Sequence, residues 1–119
     1  MNTYKIVLVK KEFKKYILEY PSTLKYLLLE EKSKFDTKQL TLYFEDTHQA
    51  IEYLKKDLFL REDYIYFHGI HKLQNELTNE VITFLINQYD IEVTEKEGSY
   101  VIYNYLKQFS SNFFMFDIE

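Results

Sequence analysis

Hydrophobic and polar positions alternate, cluster or run together along this chain in ways that mark most of its elements. Tyr4-Lys-Ile-Val-Leu-Val9 is almost continuously apolar. Such a run predicts a strand buried on both faces, at the centre of a sheet. Phe13, Tyr16, Ile17 and Tyr20 then recur at helical spacing, with Lys11, Lys14 and Lys15 on the outer side, so 11–20 reads as a helix. Pro21 stops it, because the proline ring clashes with a continuing helix and restricts Tyr20. The short apolar run from Leu24 to Glu31 suits either a helix started by Ser22 or Thr23, or a strand paired with Lys38 to Glu45 across the loop Lys32 to Thr37. The strand is the preferred reading.

From Lys38 to His71 the grammar is strand, capped helix, strand. Leu40, Leu42 and Phe44 share one face, with Gln39, Thr41 and Tyr43 on the other. That period of two predicts a half-buried strand. Asp46 is placed to accept from the free amides of a first helical turn, and Gln49 is placed to reach back to it. Ala50, Ile51, Leu54 and Leu58 form the apolar stripe of that helix, while Glu52 and Lys56 make a favourably ordered pair on its outer face. Tyr64 to His68 alternates again, with Ile65 and Phe67 opposite Tyr64, Tyr66 and His68, and Gly69 ends the strand.

Leu73, Leu77, Val81, Phe84 and Leu85 make a further stripe at helical spacing, widened by Ile82, Ile86 and Tyr89, so 71–89 is predicted to hold a helix. Ile91 to Glu95 and Ser99 to Tyr105 read as a hairpin, with Gly98 supplying the positive φ of a short loop. Phe113 to Phe116 is compactly apolar. With the strand reading of 24–31, residues 4–68 run β-α-β-β-α-β, which is the ferredoxin-like order. The expected fold is therefore α+β. It is one domain over 1–119, an antiparallel sheet with helices on one face, a ferredoxin-like core first among arrangements, and a C-terminal helix and hairpin.

Composition narrows the chemistry. At 119 residues, 46% hydrophobic and 29% charged, the chain can close one core and is far from the disordered class. No apolar run approaches the roughly 18 residues of a membrane-spanning helix. Cys 0 excludes disulfides, thiol catalysis and thiolate metal sites, and fits a cytoplasmic location. Ala50 is the sole alanine and Arg61 the sole arginine, beside Tyr 12 and Phe 10. This bias points to A+T-rich coding, so the abundance of Tyr, Phe, Lys and Ile is not itself a functional signal. Charge divides unevenly: residues 1–34 carry +4 and residues 35–119 carry −8. Two surfaces of opposite sign, with different partners, are the expectation.

Candidate chemistry follows from these features. His68 and His71 form an H-x-x-H pair around Gly69 and are weak metal candidates, since zinc wants three or four ligands and the sequence enforces no others. With Gly 2 there is no Gly-rich phosphate loop, and no G-x-S-x-G occurs. No enzyme, cofactor or metal is expected; the alternative with an activity is a metal-dependent enzyme using His68 and His71. A nucleic-acid reading uses Lys11, Lys14 and Lys15 for phosphates and Tyr43, Tyr64 and Tyr66 as stacking platforms for single-stranded bases. The net charge of −4 and the lone arginine weigh against it.

The preferred expectation is a small non-enzymatic protein-binding module, of the inhibitor or immunity type found on mobile elements or phages with an anti-defence role. Asp90, Glu92, Glu95 and Glu97, with Tyr100 and Tyr103, would occupy a basic surface of a partner, such as a nucleic-acid-binding protein. On this reading, reversing Glu92, Glu95 and Glu97 abolishes binding and leaves the melting temperature almost unchanged. The aromatic C-terminal segment suits either core or a surface for a partner or a second copy.

Overall fold

The computed structural model describes residues 1–22, 42–75 and 77–118. Seven strands form one antiparallel sheet: β1 (Asn2–Val9), β2 (Phe44–Glu45), β3 (Tyr64–Phe67), β4 (Ile70–Asn75), β5 (Glu80–Ile86), β6 (Ile91–Glu95) and β7 (Phe113–Asp117). Three α-helices lie within the described residues: α1 (Lys14–Glu19), α2 (His48–Lys55) and α3 (Val101–Lys107). Short 3₁₀ turns cover Lys11–Phe13 and Leu58–Leu60. The predicted α+β class and antiparallel sheet are what is found.

β1 is the central strand that its apolar run predicts. Tyr4 pairs with Val93 of β6 on one side and with Asp117 of β7 on the other. Leu8 is flanked by Phe113 of β7 and by Glu45 of β2, which continues the edge that β6 leaves. Every residue from Tyr4 to Val9 is buried. Tyr4, Ile6 and Leu8 pack with Ala50 and Leu54 of α2, Leu58, and Ile102 and Leu106 of α3. Val7 and Val9, pointing the other way, pack with Ile17 of α1 and Phe44. Each such side chain contributes about 1.5–3 kcal/mol by leaving water. The helices therefore lie on both faces of the sheet. One face was expected, and the correction follows from β1 being apolar at successive positions rather than alternate ones.

Two further expectations are overturned. Residues 71–89 are not a helix: they hold β4 and β5, which pair from His71↔Phe84 to Asn75↔Glu80. The stripe fits both periods, since Ile82, Phe84 and Ile86 also alternate; the strand wins because this face joins a sheet core. Asn79 takes φ 59 between the strands, and the Asn75 carboxamide accepts from the amides of Leu77 and Thr78. The predicted strand over 99–105 is instead α3, which buries Ile102 and Leu106 at i,i+4. The ferredoxin-like order would set Tyr64–Phe67 beside the first strand. Instead β6, β5 and β4 lie between them, and β3 is the far edge.

Leu24 to Glu31 and Lys38 to Thr41 lie outside the described residues. Of the strand predicted to end at Glu45, Phe44 and Glu45 pair with β1, whereas Leu42 and Tyr43 are helical and Leu42 is exposed. The Asp46 helix is confirmed: the Asp46 carboxylate accepts from the His48 amide at 3.0 Å. On its outer face Glu52 pairs with Lys55 rather than Lys56, whose ammonium lies over the rings of Tyr53 and Phe109. Among the described residues no helix is long and apolar enough to cross a membrane.

Candidate functional site

The end of the sheet farthest from β1 is finished differently on its two faces. β3 and β4 are joined by His68 and Gly69 alone, both at positive φ (51° and 80°). That geometry is the tight hairpin turn whose twist matches the strands it joins. The register sets Tyr66 opposite His71 and Phe67 opposite Ile70. Tyr64, Tyr66, His71, Leu73 and Phe84 consequently share the face that α2 and α3 cover. Ile65, Phe67, Ile70, Lys72, Thr83 and Leu85 share the other.

On the covered face, Phe59, His71 and Phe84 are nearly parallel, with His71 centred 5.3 Å from Phe59 and 4.8 Å from Phe84. Phe59 also stacks on Tyr64 at 4.7 Å, and the Tyr64 hydroxyl lies 2.7 Å from His71 Nδ1. Burial lowers the His71 imidazole's affinity for a second proton and holds the Tyr64 hydroxyl above its usual range. With its proton on Nε2, a neutral His71 accepts at Nδ1 from the Tyr64 hydroxyl. Aromatic pairs of this kind contribute about 0.5–1.5 kcal/mol beyond burial. They fasten the hairpin to the 3₁₀ turn at Leu58–Leu60.

Among the described residues nothing packs over the other face there. Phe67 is 67% exposed, Ile65 54%, Ile70 45% and Leu85 38%, four large apolar side chains on three neighbouring strands. Monomeric proteins seldom leave such side chains contiguous unless a partner uses them. β3 also ends the sheet. Gln74 donates its amide to the Asp63 carbonyl. Antiparallel alternation from that bond turns Ile65 and Phe67 inward to β4 and leaves the backbone N–H and C=O of Tyr66 pointing outward. The Tyr64 amide is already donated to the Arg61 carbonyl. Arg61 and Asp63 form a two-bond ion pair at the strand's start, beside an open polar depression lined with Glu62, Gln74 and Asn75.

The acidic candidates do not form one surface. Asp90 is buried, paired with Lys5 at 3.3 Å and accepting from the Asn87 side-chain amide at 2.7 Å. Glu95 is 0% exposed. Its carboxylate accepts from the Tyr4 hydroxyl at 2.7 Å and from the Val101 amide at 2.7 Å, capping α3 from a neighbouring strand. Burial, and then Glu95, drive the Tyr4 hydroxyl far up from its usual range. Glu92 is half-buried on β6, and Glu97 is exposed in the following loop. Tyr100, at φ 49, donates to Asp117, and Tyr103 donates to the Phe113 carbonyl. Reversing Glu92, Glu95 and Glu97 together would therefore unfold α3 as well as alter the surface, which corrects the expectation of an unchanged melting temperature.

The lysine and tyrosine candidates also separate. Lys11 and Lys15 are exposed near α1, and Lys14 donates to Ser111 at 2.6 Å. Tyr43 packs edge-on to Phe13 in the second core, whereas Tyr64 and Tyr66 sit at the far edge of the sheet, so the three make no single platform. His68 is exposed in the hairpin turn and His71 is held in the stack; among the described residues no three His, Asp or Glu side chains gather as metal ligands. No family model and no curated protein matches this chain. The bare face was missed in the sequence because Tyr64 to His68 was read as a half-buried strand. The signal was there: apolar residues occupy both alternations, Ile65 and Phe67 on one face and Tyr64 and Tyr66 on the other.

Proposed function

We propose that the protein is a protein-binding module that docks through the bare face formed by Ile65, Phe67, Ile70 and Leu85. The observation that carries this reading is the exposure of those four side chains on adjacent strands. Such a face holds no group suited to bond-making chemistry and gains free energy by shedding water against another apolar surface. Two acidic residues, exposed Glu62 just before β3 and Glu92 directly opposite Leu85 on β6, flank it and outnumber Lys72, which stands opposite Ile65. With the net charge of −4, these favour a partner whose apolar patch has a basic rim. Use as an inhibitor or immunity-type protein of a mobile element or phage is supported by size, acidity and coding bias alone.

The test is affinity capture from host lysate with nuclease present, comparing the wild type with Phe67→Ser and with Lys11, Lys14 and Lys15 changed to Glu. A stoichiometric protein retained by the wild type and by the lysine variant, and lost by Phe67→Ser, is expected. Capture that survives Phe67→Ser would remove this face from the function. Material released by nuclease would shift the function to the lysines of α1.

A further inference from the structure

We infer that the free edge of β3 pairs antiparallel with β3 of a second copy, joining two sheets into one. The strand Tyr64-Ile-Tyr-Phe67 carries none of the usual guards of an exposed edge: it has no charge, no proline and no bulge. Its side chains project on both faces, with Tyr66 on one and Ile65 and Phe67 on the other, all more than half exposed. Among the described residues its outer side has no strand partner.

The hydrogen-bonding state of the edge selects the register. Because the Tyr64 amide is occupied by Arg61, Tyr66 is the residue of the strand with neither outward backbone group bonded among the described residues. A two-fold axis through Tyr66, perpendicular to the sheet, lets the two copies of this residue exchange both bonds. That register sets Ile65 against Phe67 of the other copy, twice, at the close non-hydrogen-bonded positions. It brings Tyr64 opposite His68, and it lays the acidic start of each strand, Glu62 and Asp63, beside the His68–Gly69 turn of the other. The strand is thus self-complementary, with apolar side chains meeting apolar ones on both sides of the axis, which an arbitrary strand would not offer. The axis also keeps the two bare faces on one side, so Ile65, Phe67, Ile70 and Leu85 of each copy become one apolar surface. The pairing stands whether or not a foreign partner uses that surface.

The test uses purified protein alone. Sedimentation equilibrium of the wild type at about 100 μM, where an interface of modest strength is occupied, is expected to give twice the 14.6 kDa of the chain. Tyr66→Lys and Tyr66→Glu each place like charges across the axis and should each fall to the monomer mass, with circular dichroism unchanged because the side chain is exposed. Mixing the two variants sets Lys against Glu and should restore the dimer. A monomeric wild type, a dimer that persists in Tyr66→Lys, or a mixture that stays monomeric would each overturn the proposal.

Discussion

Val7 and Phe67 point from the same face of one sheet, yet Val7 is 1% exposed beneath Ile17 of α1 and Phe67 is 67% exposed. On the opposite face the contrast is limited to the last strand, where Tyr66 is 58% exposed. There Tyr4 and Phe84 are sealed in a single core that runs from β1 to β4. The sheet is thus a three-layer structure around β1 and a two-layer structure around β3. Stability is concentrated where three layers meet, and the exposed apolar patch on three adjacent strands lies where the described residues form only two. A protein that needed only to fold would have little use for aromatic side chains at the second place.

The comparison can be sharpened by perturbing each end. The largest effect is expected from Glu95→Lys at the β1 end. It removes the cap of α3 and buries a cation without a partner, costing about 4 kcal/mol in a urea melt. A loss below about 1 kcal/mol would mean that the core there opens to water more readily than its packing implies.

An intermediate effect belongs to His71 at the far end. Its folded-state proton affinity is lowered by burial, so above the ordinary imidazole range near pH 6.5 both folded and unfolded chains are neutral there and stability is full. As pH falls below that range the unfolded chain takes up a proton first, and stability falls until the folded form titrates as well. Thermal melts between pH 8 and pH 5 should show this decline, reduced in His71→Phe. Parallel declines in the two proteins would assign it elsewhere.

The smallest effect is expected from Phe67→Ser, the variant proposed to lose the captured partner. Exposed as Phe67 is, its removal should change stability by less than about 0.5 kcal/mol. A larger loss would mean that the bare face is covered in the folded chain, and the contrast between the two ends would dissolve.

What was legible in the sequence is what rests on neighbours. The unbroken run to Val9 announced a strand buried on both faces, and Asp46 announced a helix whose amide it does hold. What failed depended on distant residues. α3 lacked a local start signal because its cap is Glu95, across the Gly98 loop, and Tyr100 enters the helix in a left-handed conformation that no propensity foretells. Leu73, Val81 and Phe84 satisfied a helical period by coincidence, and only pairing with β3 and β6 decides for strands. For the same reason the acidic candidates looked like surface: Asp90 and Glu95 have partners, Lys5 and Tyr4, at the opposite end of the chain.

That last arrangement has a consequence for the order of assembly. β3, β4 and β5 each pair with the next strand in sequence, whereas Tyr4 of β1 must find Val93 and Asp117. Chain closure over such separations is entropically costly, so local hairpins form sooner than distant pairs. During synthesis β1 emerges before β6 and β7, the strands it pairs with, and is paired after the local hairpins. Pulsed hydrogen exchange during refolding should protect amides of β4 and β5 before those of β1; simultaneous protection would contradict this order. Until β7 arrives, the strand that ultimately anchors both cores is the one most in need of a chaperone.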